Sequence, residues 1–115
     1  MSESLRFSGR MWAEFDSRSV SVLARSEREA TEIIDSVLGE LADMSPASTK
    51  LRITLFAYLR HDRQWQPTAD ELGIHRQSLS YRLQKIQSVL GLSLSRSADL
   101  ASLWIAYQAW ESRDS

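Results

Sequence analysis

The sequence contains no cysteine, which excludes disulfides, thiolate nucleophiles and cysteine-based zinc or iron–sulfur sites. It has only two prolines and four glycines in 115 residues, and its apolar residues recur at three and four, so the chain reads as mostly helical. Uninterrupted apolar runs are a few residues long, too short to span a bilayer. The start does not read as a secretory signal, since Ser2-Glu3-Ser4 is acidic and no apolar stretch follows. The net charge is only −1, and 43% apolar against 25% charged residues argues against wholesale disorder. One compact cytoplasmic domain, with a short helical arm, is the expectation.

Catalytic patterns are equally scarce. Asp70 and Glu71 are adjacent, so on a helix they point about 100° apart and cannot flank one bond. There is no G-x-G-x-x-G or Walker sequence, and the many serines have no placed base. The two histidines, His61 and His75, lack the spacing of a metal pair. The expectation is a protein that is not an enzyme and takes no cofactor or metal.

What the chain does have is an uneven charge distribution. Residues 1–49 carry nine acids and five bases, whereas residues 50–115 carry six acids and nine bases. Between Leu72 and Ala98 there is no acid but four bases, Arg76, Arg82, Lys85 and Arg96. Such a window reads either as a solvated face or as a phosphate-facing surface.

Apolar spacing divides the chain further. The first 25 residues sustain no period, although Trp12, Phe15, Val20, Val22 and Leu23 are there to pack. Ser26 with Glu29 fits a capping box, and Ala30, Ile33, Ile34, Val37, Leu38 and Leu41 follow one helical face that Gly39 interrupts or kinks. Ser45-Pro46 predicts an N-cap with proline at the first helical position, then a face of Leu51, Leu55, Tyr58 and Leu59 ending near Asp62. The serine-rich stretch 93–97 reads as a loop. A last helix, over about 99–111, sets Leu100, Leu103, Trp104 and Tyr107 in one stripe and Ala106 and Trp110 in the next. Together they cover more circumference than packing on one side requires, and so face either the rest of the chain or a second copy.

The stretch 64–91 is the most informative. Gln66-Pro67 predicts the start of a short helix, in competition with a Thr68-x-x-Glu71 cap one register later. Ala69 and Leu72 point inward, Gly73 stops the helix in a left-handed conformation, and Ile74 plugs the turn. A second helix begins at His75 or Arg76 and runs to Leu90, where Gly91 ends it. Short helix, glycine turn, apolar plug and longer basic helix is the order of a helix-turn-helix, here at about 67–89.

At 100° per residue, Leu79, Leu83, Ile86 and Leu90 share the inward face of that second helix. Gln77, Tyr81, Gln84 and Ser88 lie opposite, Ser78 and Lys85 near the edge, Arg76 and Ser80 on one flank and Arg82 on the other. Amide, hydroxyl, phenol and cationic groups without a carboxylate suit base edges and phosphates. Arg76 at the helix start fits guanine or phosphate, with pairing to Asp70 or Glu71 as the competing reading. His75 reads as a cap or a phosphate contact, Lys85 as a phosphate cation, and Gln66 as a cap or a phosphate contact. Tyr81 either faces outward or packs sideways against the preceding helix. The tryptophans read as core or interface.

These residues resemble a known family. Thr54-Leu55-x-x-Tyr58-Leu59, then Thr68-Ala69-x-x-Leu72-Gly73-Ile74-His75-Arg76-Gln77-Ser78-Leu79-x-Tyr81-Arg82-Leu83-x-Lys85-Ile86, then Leu90-Gly91-Leu92-x-Leu94, are similar to the C-terminal DNA-binding domain of PucR-type transcriptional regulators. The family's usual wording is T-A-x-x-L-x-I-H-R-N-T-L-x-Y-R-L-x-K-I. The resemblance covers about residues 51–106, and Val37-Leu38-Gly39-x-Leu41 resembles the segment that precedes the domain. The Gly-Ile-x-Arg-x-x-Leu core is also similar to the Fis-type helix-turn-helix, which implies a helical domain that binds DNA as a dimer. Gln77-Ser78 stand where Asn-Thr is commoner, Ser80 where a base is frequent, and Trp65 where a smaller apolar residue is usual. PucR-type regulators resemble longer proteins with an N-terminal sensory region, so these 115 residues read as a C-terminal piece or as a short regulator.

The expected architecture is an all-α bundle of five or six helices, with residues 1–45 as a helical arm or the end of a preceding region and 46–115 as the DNA-binding domain. The expected function is sequence-specific binding of double-stranded DNA in transcriptional regulation, as a homodimer, with the helix at about 76–89 in the major groove. The expected contacts are Gln66, His75, Arg76, Gln77, Ser78, Ser80, Tyr81, Arg82 and Lys85. The alternatives are a dimerisation or protein-interaction module without DNA affinity, or single-stranded RNA stacked on Trp and Tyr.

Overall fold

Apolar residues four apart build the first helix, α1 (Glu27–Leu38), whose Ala30, Ile34 and Leu38 are buried on one side. The computed structural model describes residues 27–114; the readings made on Trp12, Phe15, Val20, Val22, Leu23 and the capping Ser26 lie outside them. Gly39, with φ at +49°, ends α1, and a short 3-10 turn (Gly39–Ala42) carries Leu41 into the core. Gly39 therefore terminates the helix instead of kinking it.

Ser45 caps α2 (Pro46–Arg60) as expected: its hydroxyl accepts from the Ser48 amide at 3.3 Å, with Pro46 at the first helical position. The predicted face is only part of what α2 buries, because every residue from Thr54 to Leu59 is inaccessible. α2 is the central helix, with neighbours all round. It stops at Arg60, two residues early, since Asp62 and Arg63 take left-handed φ values of 55° and 63°. The Arg63 amide reaches back to the Tyr58 carbonyl at 2.8 Å, closing the helix end as glycine ordinarily would.

The helix-turn-helix follows as α3 (Trp65–Leu72) and α4 (Arg76–Leu90). α3 begins at Trp65 with Gln64 as its N-cap residue, so neither predicted start is the one used. Thr68 is fully buried and donates its hydroxyl to the Gln64 carbonyl at 2.7 Å, which leaves it unable to cap a later register. Gly73 is left-handed (φ 66°, ψ 38°), and the Ile74 amide closes the turn on the Ala69 carbonyl at 3.1 Å. A Cβ on Gly73 would meet nothing within 4 Å, so backbone conformation, not space, demands glycine there. Leu79, Leu83 and Ile86 of α4 are buried, Leu90 half-buried, and Gly91 ends the helix with φ at 68°.

The connection to α5 (Ser97–Asp114) is stapled by side chains: the Leu94 amide donates to the Gln87 side chain at 2.8 Å and the Ser93 amide to Asp99 at 2.8 Å. α5 lies along α1, and its Tyr107 and Trp110 meet Phe56 of α2 at 4.9 Å and 6.0 Å between ring centroids. Leu103, Ala106, Tyr107, Ala109 and Trp110 are all buried within the chain. The two apolar stripes of this helix are thus largely used internally, with Ile105 left exposed and Leu100 and Trp104 half-buried. The described residues form an all-α bundle of five α-helices and one 3-10 turn. No helix among them is long and apolar enough to cross a membrane.

Candidate nucleic-acid interface

α4 exposes the face that its sequence predicts. Arg76, Gln77, Ser78, Tyr81, Gln84, Lys85 and Ser88 are exposed, and Tyr81 is 66% accessible, which excludes the sideways packing considered for it. Ser80 and Arg82 are half-buried. The Arg82 guanidinium donates to Thr54 Oγ1 at 3.2 Å, fixing its stem against α2. Thr54 in turn donates to the Lys50 carbonyl at 2.9 Å, so a chain of two hydrogen bonds runs from α4 into the first turns of α2.

A groove of about 520 Å³ separates α4 from that part of α2. Gln77, Ser78, Tyr81, Arg82 and Lys85 line it on the α4 side, and Ala47, Lys50 and Leu51 on the other. Five of the nine sequence-derived site residues therefore converge, and Lys50 adds a third cation that sequence reasoning missed. The signal for it was available: Lys50 lies on the same helix as the predicted stripe and opens the basic half of the chain. Among the described residues no carboxylate lines this groove.

The start of α4 is built differently. His75 occupies the N-cap position and its carbonyl accepts the Leu79 amide at 3.0 Å, yet its exposed side chain makes no capping bond. No acid stands in the first turn of α4. Arg76 pairs with neither Asp70 nor Glu71. Its guanidinium carbon lies 5.5 Å from the centroid of the Trp65 ring, a cation–π contact, and Trp65 meets Tyr58 edge-on at 6.5 Å. Asp70 instead accepts from Gln66 Nε2 at 2.8 Å, so Gln66 stands outside the groove with its side chain on its own helix.

Glu71 is held by Arg60 and by His61, the latter at 2.7 Å. The hydrogen bond to His61 and the positive charge of Arg60 keep the Glu71 carboxyl below the usual glutamate range. The two acids of the helix-turn-helix, both on α3, are in this way engaged, and the outward face of α4 carries cations and no carboxylate. Among the described residues no group of three or more His, Asp or Glu side chains is arranged to hold a metal ion.

The family model of the PucR C-terminal helix-turn-helix domain matches residues 51–109. The chain is similar to the transcriptional activator PmfR of Paenarthrobacter nicotinovorans, at 51% identity over 102 residues, covering 89% of this chain and 22% of that protein. It is also similar to the carbohydrate diacid regulator of Escherichia coli (strain K12), at 43% identity over 63 residues, covering 55% of this chain and 16% of that one. An uncharacterized protein in the pkwA 5′ region of Thermomonospora curvata is 40% identical over 78 residues, covering 68% of this chain and 43% of its own length. The chain thus spans less than half of each of these relatives. No solved structure matches it.

Proposed function

Because the chain belongs to the PucR C-terminal helix-turn-helix family, whose regulators are not enzymes, we propose that it binds double-stranded DNA in transcriptional regulation, with α4 as the recognition helix in the major groove. The observation that carries this reading is the outward face of α4, which together with the adjoining groove presents amides, hydroxyls and cations and no carboxylate. Arg76, Gln77, Ser78, Ser80 and Tyr81 face base edges, since the N-terminal part of a recognition helix reaches deepest. Lys50, Arg82 and Lys85 serve the phosphate backbone along the groove. His75 and the uncapped amides at the start of α4, with Gln66 at the start of α3, add phosphate contacts. Duplex DNA as partner also sets a cytoplasmic location. Residues 46–115 form the DNA-binding unit in this reading, with α1 and the 3-10 turn packed into the same core.

The working form is a homodimer. Two copies about a two-fold axis bring two α4 helices to successive major grooves, about 34 Å apart, and double a basic surface that is modest in one copy. Fluorescence anisotropy tests the DNA reading on the duplex upstream of the encoding gene and on a scrambled duplex, each at two salt concentrations. Tighter binding to the upstream duplex, weakening steeply with salt, is expected. No binding to either duplex leaves a protein-interaction module instead. Sedimentation equilibrium tests the assembly: a monomer at tens of micromolar, with and without bound DNA, rules out the dimer.

A further inference from the structure

The Trp65–Arg76 stack makes a second kind of contribution to the interface. Arg76 is exposed at the first position of α4, and its guanidinium has an aromatic face beneath it but no carboxylate partner among the described residues. The platform itself is fixed: Trp65 is half-buried at the start of α3, and the buried Tyr58 of α2 meets it at an interplanar angle of 89°. Asp70 and Glu71, the acids best placed in sequence to draw Arg76 away, are engaged by Gln66 and by Arg60 with His61. A guanidinium attracted to an aromatic ring by its charge spends none of its N–H donors on a protein acceptor, while its side chain loses rotamer freedom.

We infer that Trp65 is a positioning residue for base reading, holding Arg76 in place before DNA arrives and sharpening discrimination at the base pair that Arg76 faces. The inference rests on the DNA-binding reading above. An Arg side chain ordered in advance avoids the entropic cost of immobilisation on binding, a factor of about two to ten in affinity for one long side chain. An ordered guanidinium also cannot swing to a nearby phosphate when the base is wrong. The effect therefore concentrates at one position of the site instead of spreading over all sequences.

Selection from a randomised duplex pool, with sequencing of the bound fraction, tests this on the full 115-residue chain. Wild type, Trp65→Leu, Arg76→Ala and the double variant are compared. Wild type should enrich a site with one strong preference that Arg76→Ala erases. Trp65→Leu should weaken that same preference about two- to tenfold and leave the others unchanged, and the double variant should match Arg76→Ala. An unchanged preference in Trp65→Leu, or equal weakening at every position, overturns the inference while leaving DNA binding intact. Failure of wild type to enrich any sequence overturns both. Should Trp65→Leu lose its fold, nitrogen-15 relaxation of the Arg76 Nε–H group in the free wild-type chain decides instead. An order parameter above about 0.6 supports the positioning role, and one below that threshold, like that of an unstacked surface arginine, ends it.

Discussion

Three arginine–tryptophan contacts occur among the described residues, two on Trp110 and one on Trp65, and Arg52 and Arg76 differ in what surrounds the cation. Arg52 is only 5% exposed and lies 4.3 Å from the centroid of the Trp110 ring, which Arg113 covers at 4.7 Å. Its guanidinium donates to the Leu41 carbonyl at 2.6 Å, the Asp43 carbonyl at 2.9 Å and Thr49 Oγ1 at 3.3 Å. Arg76 contacts Trp65 from the solvent side, and its side chain makes no hydrogen bond among the described residues. The same pair of residue types is a structural joint in one place and an available ligand group in the other. Burial and backbone acceptors decide which. Where carbonyls converge, arginine fastens the 3-10 turn, α2 and α5 together; where none converge, its donors remain for something outside the chain.

The sharpest way to break this contrast is to remove each cation in turn. Arg52→Met should cost about 2–4 kcal/mol of stability, because it strands two carbonyls and uncovers the Trp110 ring. Arg76→Ala should stay within about 0.5 kcal/mol of wild type. Urea denaturation followed by circular dichroism measures both, and equal losses would erase the distinction.

Gly73 tests the turn that brings Trp65 and Arg76 together. Its φ of 66° suits neither a β-branched residue nor most others, so Gly73→Val should lose about 1–3 kcal/mol. Gly73→Asn should lose clearly less, since asparagine tolerates the left-handed region and the space beside it is open. Thermal unfolding of the two variants separates conformational strain from a steric clash.

On the DNA side the cations should divide by role. Arg76→Ala should cost about 1–3 kcal/mol on the preferred duplex and relax one position of it. Lys50→Ala and Lys85→Ala should each weaken all duplexes alike and flatten the dependence of log affinity on log salt by about 0.9. Anisotropy titrations across a salt series read both quantities. A position-specific loss from Lys50→Ala would move that residue from backbone contact to base reading.

The α4 face was legible from sequence because helical period and two glycine stops fix both its span and its orientation. The all-α class followed from the same periodicity, and the family from residues 68–86. Arg52 was not legible: a charged residue in an amphipathic pattern reads as surface, and only the converging carbonyls of Leu41 and Asp43 make it core. The Trp65–Arg76 stack was hidden for a related reason, since residues 11 apart meet only through the turn at Gly73. The start of α3 lies two residues before the predicted Pro67, and the competing Thr68 cap is not used because the Thr68 hydroxyl serves the Gln64 carbonyl. The charge of Lys50, at the start of the basic half of the chain, was visible in the sequence, but the packing of α2 on α4 that brings it to the groove was not.

The smallest expected effect comes from Glu71, whose engagement by Arg60 and His61 keeps a carboxylate from competing for Arg76. Its carboxyl is held below the ordinary value of 4.5 in the folded chain, first by the hydrogen bond to His61 and then by the charge of Arg60. A group that binds its proton less readily when folded contributes stability above its unfolded pKa, and that contribution disappears as pH falls through the lower folded value. The window is therefore acidic, below about pH 4.5, with nothing gained between neutral pH and 5. Glu71 is 39% exposed, so solvent screening keeps the pair within the range of about 0–1 kcal/mol found for surface ion pairs. Glu71→Gln should accordingly lower stability slightly at pH 7 and converge with wild type in acid. Denaturation midpoints at pH 7, 4.5 and 3 provide the check: a difference that persists undiminished at pH 3 would mean that Glu71 acts through packing and not through its charge.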